Sequence, residues 1–184
     1  MPTWAWVVIV ISAAMVCALI GWSVYRSRRR AGLQETFGPE YDRTLADAPT
    51  RREAEADLAE RRKRREELEV RPLDPKARDR YMARWKQTQE QFVDDPEGAV
   101  GDADRLIQEV MRERGYPVED FDQRAADLSV DHPEVISNYR AAHGISVAND
   151  RGKATTEDLR KAVVHYRALF TDLLEQEPAK AQQN

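Results

Sequence analysis

The chain has 184 residues, a length that suits one small domain with appendages. Its 29 basic side chains stand against 33 acidic ones, a net charge of −4, which argues against a polycationic nucleic-acid binder. The single cysteine, Cys17, excludes a disulfide framework and a cysteine-based zinc site.

Residues 1–3 are a short N-terminal end. Trp4 to Tyr25, WAWVVIVISAAMVCALIGWSVY, is uncharged, and its 22 residues at ~1.5 Å rise match a hydrocarbon core of ~30 Å. Residues 4–25 are therefore expected to form a transmembrane helix, with Trp4 and Trp6 at one interface and Trp22 and Tyr25 at the other. A cleaved signal peptide fits less well, because the start has no basic residue and the run ends on aromatics. Arg26, Arg28, Arg29 and Arg30 follow at once, which predicts a single-pass protein of the cell membrane, N-terminus outside and the rest cytoplasmic. The same arginines suit anionic headgroups, so the bilayer is one expected partner. Ala13, Cys17 and Gly21 form a small-residue seam at spacings of four, on which two such helices would approach as a homodimer.

Residues 26–49 read as a basic juxtamembrane segment and linker, with Phe37, Tyr41 and Leu45 on a brief helix broken at Gly38 and Pro39. Residues 50–70 predict a charged helix opened by Thr50 and Glu53. Its arginines face acids four residues away: Asp57 with Arg61, Glu60 with Arg64, Arg62 with Glu66, Lys63 with Glu67, Arg65 with Glu69. The run RRKRR thus reads as compensated along its own helix, a solvated spacer or partner-binding surface rather than a phosphate-binding one.

Residues 72–175 repeat apolar positions at three and four, the pattern of a helical bundle. Asp74 with Pro75 opens one helix, carrying Tyr81, Trp85 and Phe92 on one face, and Asp95 with Pro96 opens the next, which Gly115 ends. A short helix holds Phe121 and Leu128. Pro133 opens another, with Gly144 as its stop, and the last starts at Thr155. The tail, 176–184, has too little apolar content to pack. Residues 72–184 carry 16 basic and 22 acidic groups, so no nucleic acid is expected as a partner.

Candidate chemistry is sparse. In SVDHP, Asp131 and His132 read as the start of a helix, the carboxylate capping orphan amides. His143 lies about ten residues on, ~15 Å along a helix and beyond a shared ion, and His165 is on another helix. The acidic cluster Asp94, Asp95, Glu97, Asp102 and Asp104 lacks the spacing of a calcium loop. No phosphate loop, nucleophile elbow or paired-histidine zinc motif occurs, so no catalytic or metal residue, cofactor or small-molecule substrate is assigned.

From Phe37 to Leu174, the segments FGPEYDRT, RREAEADLAERRKRREEL, QFVDDPEGAV, ADRLIQEVMRERGYP, DQRAADLSVDHPEVISNYRAAH and TEDLRKAVVHYRALF resemble a group of uncharacterised bacterial proteins, common in actinobacteria. The resemblance implies one N-terminal membrane helix and carries no activity. The sequence therefore predicts an all-α protein: a transmembrane helix, a long charged helix and a small helical bundle. The expected function is a membrane-anchored adaptor or scaffold, not an enzyme, with an unidentified protein partner. A structural or stress-related envelope protein is the alternative, and a metal-dependent or acid/base enzyme comes third.

Overall fold

The computed structural model describes residues 3–175, with side chains described from residue 14 onward. Seven helices follow in order: α1 (Thr3–Asp47), α2 (Arg51–Glu67), α3 (Pro75–Gln91), α4 (Pro96–Arg114), α5 (Phe121–Asp131), α6 (Ile136–Asp150) and α7 (Thr156–Glu175). No strand occurs among the described residues, and the fold is all-α.

Local chemistry explains most helix ends. Thr50 accepts from the Glu53 amide at 3.3 Å, Asp74 from Lys76 at 2.8 Å, Asp95 from Gly98 at 2.9 Å and Asp120 from Gln123 at 2.9 Å. At α7 the box is complete, since Thr155 accepts from the Asp158 amide and Asp158 from the Thr155 amide, both at 3.2 Å. Gly115 ends α4 at φ +94, where a side chain would also press to 2.6 Å from the Glu69 carbonyl oxygen.

Two helices run further than the sequence predicts. The segment after Tyr25 stays helical as far as Asp47, and α1 breaks only at Gly38 (φ +43), ahead of Pro39. Gly144 lies inside α6 with open space where a Cβ would stand. The helix stops instead at Gly152 (φ +63), where the Lys153 amide returns to the Ala148 carbonyl at 2.9 Å.

The membrane assignment needs correction. Among the described residues no helix is long and apolar enough to cross a membrane, which overturns the single-pass localisation with an outside N-terminus and a cytoplasmic remainder. The uncharged run and the arginines are one continuous helix. Trp4, Trp6 and Ala13 lie outside the described side chains.

Two apolar clusters hold the body together. The larger joins α3 to α7 through Trp85, Leu106, Ile107, Leu128, Tyr139, Tyr166 and Phe170, among others. The smaller gathers Leu33, Phe37 and Tyr41 of α1 with Leu58 of α2. Between the two lies a seam of ion pairs, because α2 has too few apolar residues to merge them. Arg61 reaches Glu40 at 3.0 Å, Arg64 lies 3.7 Å from Asp127, and Arg65 bonds Asp131. The expected pairs Asp57 with Arg61 (2.5 Å), Glu60 with Arg64 (2.9 Å) and Arg62 with Glu66 (4.0 Å) do form, but Arg65 turns across the fold rather than toward Glu69. Three cations of the RRKRR run, Arg61, Arg64 and Arg65, thus dock α2 on the rest of the fold, while Lys63 stays exposed.

Candidate functional site

The structure brings Asp131 and His132 together, but at the end of a helix and not at the start of one. Asp131 is the last residue of α5 and His132 its C-cap, with the His132 amide donating to the Leu128 carbonyl at 2.8 Å. α6 begins four residues later behind Val135, with no side-chain cap. The Asp131 carboxylate is consequently free of capping duty. It accepts from the Arg65 guanidinium and from the Tyr116 hydroxyl. His132, 1% exposed, bonds Asp172 of α7 through Nδ1 and sits with Nε2 3.4 Å from the Tyr116 oxygen. Burial, together with the adjacent Asp131 charge, pushes the Tyr116 hydroxyl far above its usual range, so it stays protonated as a donor. Burial pulls Arg114 downward, and its Nη1 donates to the Leu173 carbonyl at 2.7 Å. These groups form a closed network in which each carboxylate already has a donor, an arrangement suited to locking α2, α5 and α7 together.

A second buried carboxylate repeats this logic. Glu40 is 2% exposed, takes both terminal nitrogens of Arg140 at 2.7 and 2.8 Å, and also receives Arg61.

The other sequence candidates disperse. Asp95 caps α4, Asp102 pairs with Arg105, and Asp104 accepts from Gln108 at 2.6 Å and Tyr166 at 3.0 Å. No group of three metal-ligating side chains converges among the described residues. His165 Nδ1 meets Asn138 at 3.0 Å. His143 stacks on Phe121 with ring centroids 3.6 Å apart. Burial holds His143 below its ordinary value of 6.5, with Asp104 opposing the shift and Arg124 reinforcing it. The native state thus favours the neutral ring. Its contribution to stability is present above pH ~6.5 and is lost as pH falls through the folded value, because the unfolded chain binds the proton first. Melting temperature is expected to drop between pH 7 and pH 5, and His143→Gln should flatten that drop; an unchanged slope would show that His143 is not the titrating group.

On α1, Trp22, Tyr25, Arg26 and Arg29 line a cleft of about 530 Å³ with Arg52 of α2. The Arg26 guanidinium lies 5.8 Å from the Trp22 ring. Arg30 pairs with Glu55 at 3.0 Å, and Arg28 is exposed. Cys17 and Gly21 stand exposed on the same helix.

The most developed cavity was not legible as a site. α3 and α7 each pack along α4 and meet through the rings of Trp85 and Phe170, and the space beside that contact is a groove of about 710 Å³. Trp85 and Phe170 stack at its floor, centroids 4.7 Å apart and planes 18° apart. Met82, 56% exposed, projects on the α3 wall, and Leu174 lies at one end. Arg78, Lys86 and Arg167 line it with Glu175 as their acidic counterpart. Neither Arg78 nor Arg167 forms an ion pair among the described residues, and Lys86 has only the exposed Glu90 at 3.7 Å. The indole nitrogen of Trp85 is buried without a hydrogen-bond partner. The available signal was Met82, an apolar residue off the core face of α3.

Fold and site thus define an all-α helical bundle with an open inter-helix groove. No protein-family model matches the chain, nor does any curated protein or solved structure.

Proposed function

We propose that the chain is a non-enzymatic interaction module, an adaptor or scaffold, that seats a partner protein in the groove between α3 and α7. The observation that carries this reading is the groove itself: an open cleft of about 710 Å³ between two helices, with the exposed Met82 side chain on its wall, the largely covered Trp85 and Phe170 rings beneath, and a cationic rim. The distribution of polar chemistry supports it. Glu40 and His132, both buried, and the half-buried Asp131 are bound into ion pairs and hydrogen bonds that tie helices together, while the groove holds apolar surface, three cations and Glu175.

The test is photo-crosslinking in cells from the full chain, with the crosslinker at Met82 in the groove or at Val93, which is 81% exposed and outside it. A discrete adduct from position 82 alone is expected, and the trapped protein, once purified, should bind the full chain and lose that binding on Met82→Glu. Identical adducts from both positions, or none from Met82, would overturn the groove as the interaction site.

A further inference from the structure

We infer that the occupant of the α3–α7 groove is an acidic amphipathic helix of a partner protein, a conclusion that rests on the groove being the interaction site. Two observations define its chemistry.

The first is shape. The groove wall on α3 runs from Arg78 to Gln89, ~16 Å at ~1.5 Å per residue, or three helical turns. Both flanking helices lie on α4 with an unfilled space between them, so a third helix would complete the layer by the ridge-and-groove packing that already joins α3 and α7 to α4. A helix brings its backbone hydrogen bonds with it. An extended segment laid on the Trp85 and Phe170 rings would leave amide groups facing an apolar floor, at a cost a helix avoids.

The second is charge. α3 and α4 are joined by a short turn and run antiparallel, whereas α4 and α7 run parallel, as Asp104 with Tyr166 and Arg114 with Leu173 show. α3 and α7 are therefore antiparallel, which places Lys86 near Arg167 at one end and Arg78 near Glu175 at the other. The Lys86 and Arg167 end has two cations and no acid among its lining residues. A partner with Asp or Glu beside its apolar stripe would satisfy it, and a basic one would be repelled. The chain's own segment 176–184, QEPAKAQQN, offers one acid and one base and only two alanines as apolar residues, which complements neither floor nor rim.

The experiment is selection on the full chain from a displayed library of 16-residue amphipathic helices, with a fixed apolar stripe and random flanking positions. The selected pool is expected to be rich in Asp and Glu at the flanks. On the Lys86→Glu/Arg167→Glu chain the preference should reverse to Lys and Arg. Flanks that emerge neutral or basic on the native chain, or a preference indifferent to the double charge reversal, would overturn the acidic partner while leaving crosslinking from Met82 intact. Recovery of no helical peptide, with laurate saturating the groove instead, would overturn it in favour of a small anionic amphiphile. Loss of the Met82 crosslink as well would remove the interaction site itself.

Discussion

Replacing Asp131 with alanine is expected to destabilise the full chain by about 3–5 kcal/mol, because it strands the buried Arg65 guanidinium without its counter-ion. A carboxylate that merely capped a helix would be worth about 0.5–2 kcal/mol, so the magnitude separates the two roles. Chemical denaturation measures it directly. His132→Asn, harmless at a helix start, should also be costly here, since it removes the ring that fills the space between Tyr116 and Asp172. Chelator, zinc and manganese should leave the unfolding midpoint of native and variant chains unchanged. A loss under 2 kcal/mol for Asp131→Ala, or a zinc-dependent rise in the midpoint that vanishes in His132→Asn, would refute the network as described.

Glu40→Ala is the second large effect, expected at about 3 kcal/mol, because Arg61 and Arg140 then face each other without the carboxylate between them. The damage should be local. Amide exchange in residues 30–67 is expected to accelerate strongly while α4 and α7 keep their protection, since their apolar cluster does not include α1. Uniform acceleration across the chain would mean that the two clusters unfold as one unit and that the seam is not the weak joint.

The periodic faces of α3, α4 and α7, and the caps at Thr50, Asp74, Asp95 and Thr155, were legible because each depends on residues within one or two turns. The DHP sequence was ambiguous for a physical reason. Pro133 marks a break in helix, but a proline does not say whether the residues before it end one helix or begin another. What fixes Asp131 as an ending is Arg65, 66 positions away. Gly144 misled similarly: a glycine lowers helix propensity by about 1 kcal/mol, and the packing of α6 along α7 through Tyr139 and Ala142 overrides that. Arg61, Arg64 and Arg65 each had an acid four residues away and an acid across the fold, and spacing alone cannot rank them. The groove was hidden most completely, because it is a property of the distance between two helices and not of either sequence. The spanning helix was read from an uncharged run, and it is the reading that the described structure does not sustain.

Arg61, Arg64 and Arg65 occupy one short stretch of α2, yet each addresses a different carboxylate: Glu40, Asp127 and Asp131. Leucine and alanine contacts tolerate sliding, since one small apolar side chain serves nearly as well as the next. Charged contacts do not. Were α2 to slip by one turn, ~5.4 Å, all three guanidiniums would leave their acceptors together, and Glu40, Asp127 and Asp131 would face the wrong residues. The helix therefore has a single setting, defined like a key by three teeth of unequal depth. A chain so poor in apolar anchors at this point achieves a unique alignment through the spacing of its cations.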